Sequence, residues 1–356
     1  MFGFLKAKPQ QVTLVDDNGE TVKSFTTEPK ETVLNAALRE GIDFPYSCKV
    51  GGCASCKCQL VSGKVKELTD KSYLLSAEEL QSGYILGCQS IPKSELVVRM
   101  PEAGSPAVPG TLTSIHWLTH DIAEVHLNLD NTVTYRPGQY ASVAPANASL
   151  PARCYSFAHA VSDGGDRAVS FFVRKIPGGN LSHWLTDADN LGKAVTLSTV
   201  AGDCTLREDS SPIVCLAGGS GLSPIVAILE GALKSGQDTR PVQLLFGARR
   251  QEDLYYLGEL NALGEKWRAD FTVTPVLSDE PQDSDWQGKR GWLADAITAE
   301  NAAGHQAYLC GPPVMIDTCM EKLKGLGIAP AQIFFDRFSD QSEGADSNVV
   351  SIKQAG

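Results

Sequence analysis

Cys48-Lys49-Val50-Gly51-Gly52-Cys53-Ala54-Ser55-Cys56 is the stretch on which the reading of this chain turns. Four residues separate Cys48 from Cys53, two separate Cys53 from Cys56, and Cys88 follows after a further 31. Four thiolates at this spacing can hold a 2Fe–2S cluster, three from one loop and the fourth from a distant element. Such a loop has to wrap a compact anion and turn backbone amides toward its sulfurs, and Gly51 and Gly52 permit that approach. Two alternatives stand beside it: a structural zinc site, or a set of buried reduced thiols. Zinc sites pair two short Cys-x-x-Cys knuckles, and this chain has one. Cys58 falls outside the spacing and reads as a strand residue.

The rest of the composition agrees with metal or redox chemistry. Of ten cysteines, five lie between Cys48 and Cys88, and Cys154, Cys204, Cys215, Cys310 and Cys319 are scattered. A disulfide scaffold would be short and secreted, and 356 residues with 42% hydrophobic and 21% charged side chains describe an ordinary globular chain of two to three domains instead. The net charge of −11 argues against a general nucleic-acid binder. No apolar run approaches the ~18 residues of a membrane span. Met1-Phe2-Gly3-Phe4-Leu5-Lys6 has too short an apolar core for a secretory signal. The expectation is a soluble, cytoplasmic protein.

Around the loop, Gln11 to Val15 and Thr21 to Phe25 read as a hairpin turned at Asp17-Asn18-Gly19. Thr32 to Glu40 reads as a short helix capped by Thr32 and stopped by Gly41. Glu95 to Arg99 reads as a closing strand. With Phe44-Pro45-Tyr46-Ser47 before Cys48, residues 1–102 resemble the plant-type ferredoxin family. That resemblance implies an α+β β-grasp fold and Cys48, Cys53, Cys56 and Cys88 as cluster ligands. Residues 103–110, rich in Pro, Gly and small side chains, read as a linker.

Residues 111–208 carry short β-rich runs (Ile122 to Leu129, Tyr140 to Val143, Ala168 to Val173) parted by turn residues, the pattern of an antiparallel barrel. Arg153-Cys154-Tyr155-Ser156 resembles the flavin signature of the ferredoxin-reductase superfamily. The resemblance assigns Tyr155 to pack on the isoalloxazine, Ser156 to hydrogen-bond its N5 edge and Arg153 to hold the diphosphate, a task suited to a planar bidentate cation. Pro137-Gly138-Gln139-Tyr140 precedes it, as in that family. Pro177-Gly178-Gly179-Asn180-Leu181-Ser182 follows, a glycine turn feeding a helix whose free amides suit phosphates. A plain loop and helix cap is the competing reading. The flavin implied is FAD rather than FMN, because an N-terminal ferredoxin resembles FAD-using oxygenase reductases.

Residues 209–338 change character. Ile213 to Ala217, Val242 to Phe246 and Ala307 to Cys310 are apolar strands followed by loops, which points to a parallel α/β sheet. Gly218-Gly219-Ser220-Gly221-Leu222-Ser223-Pro224 is no Rossmann fingerprint, since Pro224 stands where the last glycine would be, but it resembles the pyridine-nucleotide loop of the same superfamily. Cys310-Gly311-Pro312-Pro313 resembles its Cys-Gly-Pro-Pro element, which puts Cys310 beside the nicotinamide C4 and Gly311 and Pro312 beside the sugar–diphosphate; a rigid turn is the bland alternative. Phe334-Phe335-Asp336-Arg337-Phe338 resembles the C-terminal run of oxygenase reductases, with Phe338 near the flavin ring and Asp336 where Glu is commoner. In Gly247-Ala248-Arg249-Arg250-Gln251-Glu252-Asp253, Glu252 or Asp253 could accept from ribose hydroxyls, while Arg249 and Arg250 could pair a 2′-phosphate; the resemblance points to NADH. Residues 339–356 read as a flexible tail.

The whole order resembles the reductase component of bacterial multicomponent oxygenases, those feeding aromatic-ring dioxygenases or di-iron monooxygenases. The implied route is hydride from NADH to FAD, then single electrons through the 2Fe–2S cluster to a terminal oxygenase or an intermediary ferredoxin. The implied protein is a monomer with no nucleic-acid or membrane partner. The same layout could serve a deoxysugar dehydrase, and a redox sensor that merely holds cofactors is a further alternative. Residues 1–102 carry 12 Lys and Arg against 13 Asp and Glu, so most of the negative charge lies beyond them. Lys49 and Lys57 border the loop and read either as steering docking to an acidic partner or as ordinary solvated charge.

Overall fold

The computed structural model describes residues 8–42, 44–46, 49, 51, 54, 56–69, 71, 75, 77–100 and 107–338. The chain divides into two compact units, which part between residues 106 and 107.

In the first unit, β1 (Gln11–Val15) and β2 (Thr21–Thr26) form an antiparallel hairpin. Asp16 fixes the turn, its Oδ1 accepting from the amides of Asn18 and Glu20 at 3.0 and 2.8 Å. Helix α1 (Val33–Arg39) starts at Thr32, whose Oγ1 accepts from the Asn35 amide at 3.3 Å, a cap worth ~1 kcal/mol. There follow β3 (Lys57–Ser62), β4 (Val65–Glu67), α2 (Ala77–Gln81), β5 (Tyr84–Leu86), β6 (Ser90–Pro92) and β7 (Leu96–Arg99). The sheet order is β2-β1-β7-β3-β5, with β1 and β7 parallel, and β4 pairs β6 apart from it. Alternation along β1 sends Val12 and Leu14 inward, and α1 lays Val33, Leu34, Ala36 and Ala37 into the same core. Each large side chain there contributes ~2 kcal/mol by leaving water. A sheet grasping one helix this way is the β-grasp.

The second unit begins with strands β8 (Val108–Trp117), β9 (Ile122–Val133), β10 (Tyr140–Pro145), β11 (Arg153–Ser156), β12 (Asp166–Arg174) and β13 (Ala194–Ala201), with helix α3 (Asn180–Leu185) between the last two. Their order is β11-β10-β13-β8-β9-β12, antiparallel throughout, and a bridge from Phe157 to Phe171 joins the two edges into a near-closed barrel. Tyr135 stacks on Phe157 inside it at 3.6 Å between ring centres. One sequence expectation needs correcting here. β8 starts at Val108, inside the stretch read as linker. Val108 and Pro109 pair only with β13, and the β9 ladder begins at Gly110, so the amide that Pro109 lacks is not missed.

The remaining elements are β14 (Ile213–Gly218), α4 (Leu222–Lys234), β15 (Val242–Ala248), α5 (Leu257–Gly264), β16 (Phe271–Leu277), β17 (Lys289–Arg290), α6 (Ala299–Ala302), β18 (Gln306–Gly311), α7 (Pro313–Gly325) and β19 (Ile333–Arg337). All six strands run parallel in the order β17-β16-β15-β14-β18-β19. β14 and β18 are buried on both faces, which is why they read as unbroken apolar runs. The order reverses between these two strands, and in a doubly wound sheet ligands enter the crevice at such a point.

Barrel and sheet are pinned together by a charged cluster. His159 gives one ring nitrogen to Glu230 of α4 and the other to Glu124 of β9, both at 3.0 Å. Burial alone would lower the imidazole pKa, but the two carboxylates outweigh it and hold it at about 9. This stabilisation is therefore complete below the ordinary 6.5 and lost as pH climbs through about 9. With the ring 36% exposed, solvent screening limits it to ~1–2 kcal/mol. Denaturation of wild type and His159→Gln across that range should show the wild-type advantage shrinking with rising pH.

Candidate functional site

Cys56 closes the loop just before β3, and Cys88 sits between β5 and β6. Both are buried, at 3% and 5% exposure. The Cys88 amide donates to Cys56 Sγ at 3.4 Å, and Gln89 Nε2 lies 3.6 Å from Cys88 Sγ. Donors aimed at sulfur suit thiolates better than neutral thiols. Gly51 holds φ +77°, and a Cβ there would stand 2.7 Å from Gln89 Cγ, so position 51 calls for glycine. Thiols, sulfur-directed N–H groups and the left-handed Gly51 fit an anionic iron–sulfur cluster. Cys48 and Cys53 lie outside the described residues. Cys58 is on β3 with its Sγ toward the Ile85 carbonyl at 3.9 Å, and burial pushes its thiol up to about 12, so it stays protonated in the core.

In the second unit three side chains from three distant stretches converge. Ser156 ends β11, Cys310 lies near the end of β18, and Asp336 pairs with Cys310 in register from β19. Ser156 Oγ donates to Asp336 Oδ2 at 3.3 Å, and the Ser156 carbonyl accepts from Ser223 Oγ at 2.9 Å. Cys310 is fully buried; burial raises its thiol pKa well above the usual value, and the neighbouring Cys204 thiol and Asp336 charge add to that. Arg153 and Tyr155, half-buried, share the opposite face of β11 from Ser156. Arg153 Nη1 donates to the Ala152 carbonyl at 2.8 Å. Phe338 is half-buried and its amide donates to the Gly311 carbonyl at 2.9 Å.

The turn at Gly178, Gly179 and Asn180 opens α3 with no side-chain cap. Two residues assigned there are already engaged: Leu181 is in the barrel core and Ser182 Oγ accepts from the Ile176 amide at 3.2 Å. What this turn can offer an anion is backbone, together with the exposed Asn180.

At the crevice between β14 and β18, Gly218, Gly219, Ser220 and Gly221 make a tight turn into α4. A Cβ on Gly221 would stand 2.1 Å from the Cys310 carbonyl oxygen, and one on Gly218 would meet Met315 Sδ at 2.4 Å. Tyr255 Oη steadies the turn by donating to the Gly219 carbonyl at 3.0 Å. Gly311 and the exposed Pro312 face it from the end of β18. Past the end of β15 lies a hollow of about 190 Å³ lined by His120, Arg249, Arg250, Glu252, Asp253 and Asp279. Arg249 lies 3.8 Å from Asp253 and Arg250 3.2 Å from Asp279. Three carboxylates against two guanidiniums leave this hollow short of positive charge for a 2′-phosphate.

Sequence reasoning missed Ser223 and Cys204, and it saw in Asp336 only a departure from a motif. Ser223 lies within the quoted glycine loop, but nothing local signals that its hydroxyl reaches β11. Cys204 passed as one more scattered cysteine.

Residues 15–93 match the family described as a 2Fe-2S iron-sulfur cluster binding domain, and residues 215–321 the oxidoreductase NAD-binding domain. The chain is 42% identical over 321 residues to a xylene/toluene monooxygenase electron transfer component of Pseudomonas putida, spanning 88% of this chain and 90% of that one. It is 34% identical over 318 residues to the ferredoxin–NAD(P)(+) reductase component of a naphthalene 1,2-dioxygenase system, also of Pseudomonas putida, spanning 86% and 93%. Among solved structures, the ferredoxin reductase in carbazole 1,9a-dioxygenase matches with a TM-score of 0.65 at 26% identity, covering 93% of this chain and 99% of that one.

Proposed function

The chain belongs to the family of oxygenase reductases in which a 2Fe–2S ferredoxin is fused to a flavin- and nicotinamide-binding unit, and from that premise we propose that it serves an oxygenase acting on an aromatic hydrocarbon. It is an NADH-dependent oxidoreductase that carries FAD and a 2Fe–2S cluster and delivers electrons to a terminal oxygenase. FAD, when bound, takes a hydride from NADH as a two-electron unit and hands electrons singly to the cluster. The aromatic-hydrocarbon reading rests on one observation, the 42% identity to a xylene/toluene monooxygenase component along nearly the whole chain.

Within that reading, Cys48, Cys53, Cys56 and Cys88 hold the cluster, supported by the buried Cys56–Cys88 pair and its N–H donors. Arg153, Tyr155, Ser156 and the turn from Gly178 to Ser182 hold FAD. The Gly218 to Gly221 turn with Gly311 and Pro312 holds NADH. Ser156 directs its hydroxyl along the line set by Asp336, Ser223 fixes the Ser156 backbone, and Cys310 presents an uncharged sulfur. Phe338 closes the Gly311 end, its amide donating to the Gly311 carbonyl. Residues 1–102 are the ferredoxin domain, the FAD domain begins with β8 at Val108 and runs to residue 208, and residues 209–338 are the NAD domain. We place the chain in the cytoplasm as a monomer, where NADH and reduced thiols coexist.

An anaerobic stopped-flow titration with NADH tests the reading: the flavin bleaches first and the cluster band second. Flavin and cluster that both stay oxidised would sink it. Supplying purified alkylbenzene monooxygenase or deoxysugar dehydrase components then sorts the partner class, and turnover with the dehydrase alone would refute the aromatic assignment.

Docking gives a further expectation. Lys57 forms an ion pair with Glu79, while Lys49 is exposed with its ammonium 4.5 Å from the centre of the Tyr46 ring. Steering therefore falls mainly to Lys49, since Lys57 is largely offset. Lys49→Glu should lower the rate of electron delivery to the oxygenase ~5-fold at low salt and flatten its salt dependence, with Lys57→Glu weaker.

A further inference from the structure

Cys204 and Cys310 are separated by 106 positions in sequence, yet their sulfurs touch at 3.7 Å. Cys204 follows β13 in the segment that joins the barrel to the nucleotide sheet; it is 3% exposed and Cys310 is 0% exposed. Both backbones are pinned. The Cys204 carbonyl packs on Gly138 so closely that a Cβ there would approach it to 2.1 Å, and Thr205 closes a turn onto the Asp203 carbonyl at 2.8 Å. Cys310 is held between β14 and β19. A third cysteine, Cys215, belongs to the same core, but its register partner on β18 is Tyr308, two residues before Cys310. The 3.7 Å sulfur contact is what singles out Cys204 and Cys310.

We propose that Cys204 and Cys310 form a reversible dithiol–disulfide switch, driven by peroxide, that turns off hydride transfer in this reductase. The inference rests on the proposed position of Cys310 at the nicotinamide. In the first step one cysteine gives up its proton, its thiolate attacks peroxide, the O–O bond breaks, and a sulfenic acid and hydroxide form, the hydroxide taking the proton to leave as one water. In the second step the other thiol attacks the sulfenic sulfur, the S–O bond breaks, the S–S bond forms and a second water leaves. Two thiols lose two electrons and two protons, and peroxide is reduced to two waters. The sulfurs must close from 3.7 Å to about 2.05 Å, and the switch requires side-chain rotation to supply that movement. It draws the Cys310 sulfur toward Cys204 and off the Ser156–Asp336 side of the site. Burial makes the reaction slow, so the switch answers sustained peroxide rather than a brief pulse. A dithiol reductant reverses it by exchange.

The test uses holoprotein treated with hydrogen peroxide, with free thiols then blocked and peptides mapped, while NADH-dependent ferricyanide reduction and cluster absorbance are followed. A Cys204–Cys310 linked peptide should grow in step with a loss of ferricyanide activity of at least ~5-fold. Dithiothreitol should restore it, whatever becomes of the cluster band. Measured against its own untreated rate, Cys204→Ala should show no dithiothreitol-reversible loss, and Cys204→Ser supplies the same comparison should the alanine variant fold poorly. No linked peptide, or an equal reversible loss in the Cys204 variants, overturns the switch. A linked peptide with full activity overturns it through the position assigned to Cys310, and leaves the pairing itself standing.

Discussion

Cys88→Ser should cut electron delivery to the oxygenase by ~100-fold or more while NADH-dependent ferricyanide reduction stays within about twofold of wild type. The two activities part because ferricyanide draws electrons at the flavin, in the unit that spans residues 107–338, whereas the oxygenase draws them at the cluster. Cys88 is buried, with its own amide on Cys56 Sγ at 3.4 Å, and in the function proposed here its thiolate is the fourth of the cluster ligands. Serine offers a harder, more basic oxygen that iron–sulfur centres accept poorly in place of thiolate. The visible cluster band and the paramagnetic resonance of the reduced protein report the loss directly. Cys58→Ala is the matched control: its sulfur faces the Ile85 carbonyl inside the core, so its removal should cost ~1 kcal/mol of stability and leave the cluster intact. Equal loss in both variants would mean that packing, not ligation, is being measured.

What the sequence disclosed about this protein follows the range of the interactions involved. The 2Fe–2S family was legible because three of the four cysteines read as ligands fall within nine consecutive positions, Cys48 to Cys56. The hairpin at Asp16 and the Thr32 cap were legible because a turn and a helix start are local events. The Ser156–Asp336 hydrogen bond spans 180 positions, so no window of sequence contains both partners. The same holds for His159, whose two glutamates come from β9 and α4 and which reads, alone, as an ordinary surface histidine. Residues 108–110 were misread for a different reason. Proline and glycine there looked like linker, but Pro109 falls where β8 pairs β13 alone, and Gly110 lets β9 approach so closely that a Cβ would stand 2.8 Å from the Asn128 carbonyl oxygen. Leu181 and Ser182 show the converse limit: a motif marks a turn as a phosphate site without saying which of its side chains the fold has already used.

Gly221→Ala tests the crevice most sharply. The turn from β14 into α4 passes so close to β18 that an added Cβ would lie 2.1 Å from the Cys310 carbonyl oxygen, 2.5 Å from its carbon and 2.8 Å from the Gly311 nitrogen. All three atoms are backbone of a strand hydrogen-bonded on both sides, so none can swing away as a side-chain tip would. Relief has to come from moving the turn or the end of β18, the two elements that hold the nucleotide in the function proposed here. A displacement near 1 Å of groups that set reacting geometry can cost ~100-fold in rate. Gly221→Ala should therefore lower kcat/KM for NADH by about that factor and destabilise the unit by ~2–3 kcal/mol. Gly219 supplies the comparison. Its φ of +54° makes alanine strained by ~1 kcal/mol, but nothing lies within 4 Å of the added Cβ. Gly219→Ala should accordingly keep kcat/KM within ~10-fold. Steady-state NADH oxidation with ferricyanide, alongside thermal unfolding of both variants, separates geometry at the crevice from strain in the backbone. Two variants that lose rate equally would remove the close approach of Gly221 to β18 as the cause.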